Sequence, residues 1–431
     1  MSGRSRSTWP HEVSSATAWV GQCELLDGWD VAGVVPDETA SPRFERARVL
    51  VRENHRPLGF ATVPLAHGRV TTTALRREVS RLRAEVLRCP SDDQKAETNG
   101  TPGEKPLSTE APPLTAAICT RDRPGLLARS LAAVQQVEYP AFEILVVDNA
   151  PTDTGTCAVV RAAAAADDRV RYVVEPHPGL SHARNRALEA AGSEIVAFTD
   201  DDVVADRYWL AGLGAGFLTS PEVACVTGLV PAARLVTPAE RYFDERVAWS
   251  HRMRPARYSL DHPPVKDRLF PYHPGAFGAG ANFAVDRRFM MAIGGFDPCL
   301  GAGSPTSGGE DLDAFVRTIR ASKTLVYQPA AIVWHFHRQE VEDLTAQVRD
   351  YGRGIAAVVT KWLLTSDTRE EVLERMVPMA RHVASMWRSR APARSRLGSK
   401  LMAMEMIGAA QGTLAYLRAR HALDRDAGAC P

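Results

Sequence analysis

From residue 46 to 65 the chain reads RARVLVRENHRPLGFATVPL, with apolar and polar side chains alternating on both sides of Asn54-His55-Arg56-Pro57. A period of two interrupted by turn residues predicts a β-hairpin, with Gly59 as a bulge position. The period then lengthens: Leu75, Val79, Leu82 and Val86 recur at helical spacing in TTALRREVSRLRAEVLR. Residues 90–113 are rich in Pro, Gly and charge and almost without apolar side chains, which predicts a linker. Residues 1–89 are therefore expected to form a small accessory module of hairpin plus helix.

From Leu114 the texture changes. LTAAICT (114–120), FEILVVD (142–148), RVRYVVE (169–175) and EIVAFTD (194–200) are short and mostly apolar, as in strands of a parallel sheet covered on both faces. Between them, 124–137 carries Leu127, Leu131 and Val134 at helical spacing, and ARNRALEAAG (183–192) reads as a second helix. Strand and helix in alternation predict an α/β fold with right-handed βαβ units in a doubly wound sheet over 114–340. Ligands on such sheets bind at the carboxyl ends of the strands. After Val341 the pattern is helical to the end, giving an expected helical extension over 341–431. No internal repeat is evident.

Composition narrows the class only a little. Apolar residues are 45% of the chain and charged residues 24%, ordinary globular usage. With 52 basic and 51 acidic residues the net charge is +1, so no global field draws nucleic acid and no nucleic-acid partner is expected. The seven cysteines are scattered with no Cys-x-x-Cys pair, which argues against a disulfide framework or a zinc site and for a reducing compartment. The first residues lack the apolar run of a signal peptide, and nowhere do 18 apolar residues follow one another. The expected location is the cytoplasm.

Asp200-Asp201-Asp202 closes the strand EIVAFT. Three adjacent carboxylates repel and need a counter-charge. Mg²⁺ or Mn²⁺, bound by one or two carboxylates and by phosphate oxygens, is the simplest one. An extended backbone puts Asp200 and Asp202 on one face. The alternative is a solvated turn capping the helix near Arg207-Tyr208-Trp209-Leu210. Gly308-Gly309-Glu310-Asp311 opens a helix with the apolar face Leu312, Phe315, Val316 and Ile319. Its carboxylates suit either a helix N-terminus or a general base. In Trp334-His335-Phe336-His337-Arg338, His335 or His337 can complete a metal shell, or the segment is a polar strand end.

Gly275-Ala-Phe-Gly278-Ala-Gly280-Ala-Asn282 is not in the first βα turn, which excludes a dinucleotide fingerprint. It reads equally as a tight turn or as backbone yielding room to a sugar or diphosphate. In Cys119-Thr120-Arg121-Asp122-Arg123-Pro124 the first strand meets its helix, and Arg123 can face a nucleotide or phosphate. Asp148 ends the second strand and can accept hydrogen bonds from a base or ribose. His182-Ala183-Arg184-Asn185 stands at a helix start, where an anion is favoured. Each of these also suits a cap or a salt bridge.

In this order, CTRDRPGLLARSL, ILVVDNAPTD, GLSHARNRAL, VAFTDDDVV, GAGANFAVDRR, GGFDP, GGEDLDAFVR and VWHFHR resemble the family 2 glycosyltransferases, inverting enzymes of the GT-A fold. The likeness covers about 114–340. It implies a nucleotide-sugar donor linked to UDP, GDP or dTDP, and a Mn²⁺ or Mg²⁺ cofactor. By the same resemblance Asp200 and Asp202 hold metal and diphosphate, with Asp201 beside them, and His335 or His337 completes the metal or leaving-group site. Thr120, Arg123 and Asp148 line the nucleoside site, Arg184 lies near the diphosphate, and Asp311 is the base with Glu310 next to it. A Gln-x-x-Arg-Trp motif and membrane spans, which mark the processive members, are missing after Asp311, so transfer of one or a few sugars is expected. The first module resembles the accessory segment of some actinobacterial glycosyltransferases, including those acting on peptide-derived cofactors.

A retaining GT-A transferase, a sugar nucleotidyltransferase and a sugar-binding module without turnover are the rival readings. The acceptor stays open among a small metabolite, a peptide, a glycan and a lipid carrier. Between Arg375 and Lys400 there are basic but no acidic residues, ahead of the apolar stretch 401–417. These helices suit either peripheral contact with the inner face of an anionic membrane or a solvated face of a packed tail.

Overall fold

The structure, a computed structural model, describes residues 17–25, 29, 31–34, 44–88, 111–264, 267–389 and 396–428. Most of the expected linker (90–110) lies outside the described residues, as do Cys89, Arg390, Arg394 and Cys430.

The first part is a five-stranded sheet rather than a hairpin. Strands β1 (Ala18–Glu24), β2 (Val31–Gly33), β3 (Arg46–Glu53), β4 (Arg56–Ala66) and β5 (Arg69–Val70) lie in the order β2-β1-β3-β4-β5, with β1 parallel to β3. The hairpin β3–β4 turns at Asn54-His55, and its register slips between Val51↔Gly59 and Arg52↔Pro57, next to the expected bulge. Helix α1 (Thr72–Arg88) lays Leu75, Val79 and Leu82 on the inward side chains of β3 and β4, Ala47, Val49, Val51, Ala61 and Val63. The sequence did not announce β1 and β2, whose apolar runs are short and irregular.

The second sheet has nine strands: β6 (Leu114–Thr120), β7 (Phe142–Asn149), β8 (Val170–Glu175), β9 (Ile195–Asp200), β10 (Val203–Ala205), β11 (Val223–Leu229), β12 (Ala256–Tyr258), β13 (Asn282–Asp286) and β14 (Thr324–His335). Their order is β10-β14-β11-β13-β9-β6-β7-β8, with β12 also paired to β14. Following the pairings, β6, β7, β8, β9, β11 and β14 run one way and β10, β12 and β13 the other. The sheet is thus mixed and mostly parallel. Pro329 is accommodated in β14 where the register with β11 breaks between Gly228 and Leu229.

Alternate side chains bury on opposite faces. Ala117, Leu145, Val147, Val196 and Phe198 pack against α4 (Leu180–Ala190), α8 (Glu310–Arg320) and α9 (Val341–Leu364). Ala116, Ile118, Ile144, Val146 and Ala197 pack against α2 (Pro124–Gln135), α3 (Gly155–Ala164) and α5 (Trp209–Phe217). Helix α4 starts three residues before the expected 183, after Gly179, so Arg184 stands in its second turn. A short helix, α6 (Pro238–Arg246), lies in the insertion between β11 and β13, and another, α7 (Arg287–Ala292), follows β13.

Beyond β14, α9 is followed by α10 (Arg369–Ser389) and α11 (Arg396–Gly428). The side of α9 carrying Val358 and Trp362 joins the core of the second sheet. Leu373, Met376 and Val377 on α10, and Met406, Ile407, Leu414 and Leu417 on α11, are exposed. Among the described residues no helix is long and apolar enough to cross a membrane.

Candidate active site

The strand order reverses at β6, with the strands still parallel: β7 and β8 lie on one side and β9 on the other. Such a switch point opens a crevice at the carboxyl ends. Thr120 ends β6 and Asp200 ends β9 there, and the Thr120 hydroxyl donates to Asp201 Oδ2 at 2.7 Å. Arg123 Nη1 donates to Asp201 Oδ1 at 3.3 Å. Asp201 thus faces the first-strand loop and not its two neighbours.

After Asp200 the chain turns at Asp201-Asp202, so the extended backbone assumed for the triplet is absent. Asp200 and Asp202 nonetheless converge, because β10 folds back along β14 with Val203 opposite His335 and Phe336 N donating to Asp202 O at 3.1 Å. Ligand atoms of Asp200, Asp202 and His335 lie within 4.8 Å of one another. His335 Nε2 is 3.3 Å from Asp202 Oδ1, and Arg338 Nη2 is 3.9 Å from Oδ2. The helix near 207–210 has no side-chain cap; Asp206 Oδ1 accepts from Tyr208 N in the turn just ahead of it.

His337 does not join this group. The strand ends at His335, so the two-residue alternation expected to align the histidines does not continue. His337 lies buried behind, Nδ1 3.1 Å from His335 Nδ1, its ring in a T-shaped contact with Phe243 at 4.7 Å between centroids and its Nε2 without a partner. Burial and the neighbouring His335 push it down to about 3.

Burial and the charge of Asp202 push Asp200 up to about 7. Burial acts in the same sense on Asp202, but His335, Arg338 and Arg123 outweigh it and hold Asp202 below the usual carboxylate range. His335 is raised: burial works against its charged form, and Asp202 overcomes it. Two carboxylates and an imidazole that share too little positive charge fit a hard divalent cation such as Mn²⁺ or Mg²⁺.

Arg184 joins this group to the second acidic pair. It is buried, donates from Nη1 to Glu310 Oε1 at 2.8 Å and from Nη2 to Gly280 O at 2.9 Å, and lies 3.9 Å from Asp200 Oδ1. One guanidinium serves Asp200, Glu310 and Asp311, so burial together with Asp311 still pushes Glu310 up to about 7. Asp311 Oδ2 lies against the Gly275–Asn282 loop: a Cβ at Gly280 would come within 2.7 Å of it. Helix α8 can begin here because Gly309 takes φ 96°, left-handed backbone that L side chains avoid. The expected apolar face of α8 is altered, since Leu312 is half-buried whereas Asp313 is buried with Arg317, Lys361 and Trp362.

Asp148, across β6 from the Asp200–Asp202–His335 group, is buried. Its Oδ2 accepts from the Tyr172 hydroxyl at 2.7 Å and its Oδ1 has no partner. The side chain of Asn149 holds the segment 177–179 through His177 O and Gly179 N. At the rim of that segment Glu175, His177 and His182 form a second group with ligand atoms within 4.8 Å, His177 largely exposed.

Two residues near the carboxylates escaped sequence reasoning. Arg129 on α2 lies 3.7 Å over the Phe336 ring, and Asp202 bears on its charge. The Tyr351 hydroxyl on α9 is raised by burial and by Asp311, Asp202 and Asp200. A lone arginine in a helix and a tyrosine in an expected tail carried no local signal.

Residues 112–357, more than half of the chain, match the family described as glycosyltransferase like family 2. The pre-mycofactocin glycosyltransferase of Mycobacterium tuberculosis is 31% identical over 193 residues, covering 44% of this chain and 37% of that protein. The succinoglycan biosynthesis protein ExoM of Rhizobium meliloti is 27% identical over 219 residues, covering 50% of this chain and 64% of that one. The matches thus span between about a third and two thirds of these relatives. A mannosyltransferase from Pyrobaculum calidifontis, solved with GDP-Man and Mn²⁺, superposes with a TM-score of 0.48 at 18% identity, over 78% of this chain and 97% of that one.

Proposed function

The chain belongs to glycosyltransferase like family 2, and from that premise we propose that it moves a sugar from a nucleoside-diphosphate donor to an acceptor hydroxyl, non-processively and with inversion. The observation that carries the reading is Arg184, one buried guanidinium reaching both Asp200 and Glu310 and so tying a metal-ligand group to a base-bearing helix. Mn²⁺ or Mg²⁺ held by Asp202, Asp200 and His335 would supply positive charge for the departing nucleoside diphosphate.

The remaining work belongs to the chain. Thr120 and Arg123 fix Asp201 beside the first-strand loop, which leaves Arg123 placed to meet the donor. Asp148 Oδ1, buried and unpartnered, is available to a ribose or base donor group. Asp311 takes the proton from the acceptor hydroxyl as its oxygen attacks the anomeric carbon opposite the leaving group. A single base suffices for inversion, unlike the paired carboxylates of glycoside hydrolysis. Arg184, fully enclosed, acts on the diphosphate side by bridging Asp200 and Glu310 and offsetting their charges.

Incubation with UDP-, GDP- and dTDP-sugars, with and without Mn²⁺, tests the reading by release of the nucleoside diphosphate. One donor class is expected to be cleaved only with metal, and a glycoside product is expected to carry the inverted anomeric configuration by NMR. A retained configuration would overturn the role given to Asp311. Cleavage of no donor class under any metal would overturn the transferase reading.

A further inference from the structure

Strand β3 has two buried faces. Ala47, Val49 and Val51 point into the core of the first sheet, and Arg48, Leu50 and Arg52 point out of it. In an independent module that second face would be in water. Here Leu50 is fully buried and Arg52 nearly so, because the face meets the catalytic sheet behind β10 and β14. Those two strands deliver Asp202 and His335. Val204, Ile332 and Trp334 turn toward the first sheet, where they pack with Val20, Val34 and Leu50. Their neighbours Val203 and Val333 turn the other way, into the core under α2 and α5. The pair is therefore gripped from both faces.

The two arginines fix the register of this contact. Arg52 Nη1 donates to Asp206 Oδ2 at 2.8 Å, with both side chains buried. Asp206 directly follows β10, and its backbone N donates to Ile332 O of β14 at 3.1 Å. Arg48 pairs with the buried Asp244 of α6, reaches His251 Nδ1 at 3.1 Å and covers the Phe60 ring at 4.2 Å. The residue before Asp244, Phe243, makes a T-shaped contact with His337, which bonds His335. A buried charge that loses its partner is strongly unfavourable, so a shifted register of β3 would strand Asp206 and Asp244 together.

We propose that the Arg48-Leu50-Arg52 face of β3 is a positioning element of the metal site, setting the separation of Asp202 and His335 through Asp206 and α6. This rests on the reading of Asp200, Asp202 and His335 as metal ligands. Supports behind metal ligands typically alter affinity by about 10–100-fold when removed.

The test measures Mn²⁺ affinity of the full chain by titration calorimetry for wild type, Arg52→Ala and Arg52→Lys, with nucleoside binding measured in the absence of metal. Arg52→Ala is expected to weaken Mn²⁺ by about tenfold or more, leave nucleoside binding within about twofold, and be largely restored in Arg52→Lys. A lowered melting temperature with Mn²⁺ affinity within about twofold of wild type would make the sheet a stabiliser only and overturn the proposal. If Arg52→Ala does not fold, Leu50→Val, which removes one methylene from the same contact, decides by the same criterion. Wild type that binds Mn²⁺ no better than Asp202→Asn would remove the metal site and this proposal with it. A failure confined to the β3 variants leaves the metal site standing.

Discussion

Asp202 and Glu310 are both buried carboxylates beside a cation, yet their affinities for a proton are pushed in opposite directions. Asp202 has His335, Arg338 and Arg123 around it and is held ionised. Glu310 shares the single Arg184 with Asp200 and Asp311, and burial raises it to about 7. The first environment suits the proposed metal ligand, since a metal needs the anion. The second keeps a poorly compensated acid next to Asp311, on a helix whose N-terminal backbone favours negative charge. The number of cations per carboxylate, more than burial, separates the two.

The sharpest way to break this contrast is Asp202→Asn. It is expected to abolish metal-dependent turnover, by about 10³-fold or more, since several kcal/mol of leaving-group stabilisation go with the metal. Chelation of the wild type would do the same, and both are read by donor cleavage. Asp311→Asn comes next, lowering kcat by about 10²–10³-fold while Mn²⁺ affinity stays at the wild-type value. An Asp311→Asn enzyme as fast as wild type would move the base elsewhere.

Much of the catalytic sheet was readable from the chain. LTAAICT, FEILVVD and EIVAFTD are strands because continuous apolar runs suit a sheet covered on both faces, and all three are found as such. The strands that complete the site were harder. β10 is three residues long, and β13 follows a glycine-rich turn, so neither has a period to detect. Asp200 and Asp202 were picked out by an extended backbone that the chain does not adopt. A turn and the pairing of Val203 with His335 bring them together instead. Arg184 was placed near the diphosphate by resemblance, and its enclosure between Glu310 and Gly280 is a tertiary contact that no local pattern records.

His335→Ala sharpens the metal side of the comparison. It is expected to weaken Mn²⁺ by about tenfold, with partial recovery by added imidazole, whereas His337→Ala, outside the ligand group, is expected to change it less. Equal losses in both variants would put the two histidines in one unit.

The smallest expected effect concerns pH. A carboxyl whose folded pKa lies near 7, above the ordinary glutamate value, binds its proton more tightly in the folded state. Its contribution to stability is complete below the unfolded pKa and is lost as pH rises through about 7. Compared with wild type, the metal-free Glu310→Gln protein should therefore lose less melting temperature as pH rises from about 5 to about 8. An unchanged slope in Glu310→Gln would contradict the raised state of Glu310.

The most direct measurement is thermal stabilisation by UDP, GDP and dTDP, each with and without Mn²⁺, in wild type, Asp202→Asn and Asp311→Asn. A ligand bound only by the native state raises its melting temperature by mass action. The account predicts a metal-dependent shift for one nucleoside diphosphate, kept in Asp311→Asn and lost in Asp202→Asn. The same shift without metal, or an undiminished shift in Asp202→Asn, would contradict it.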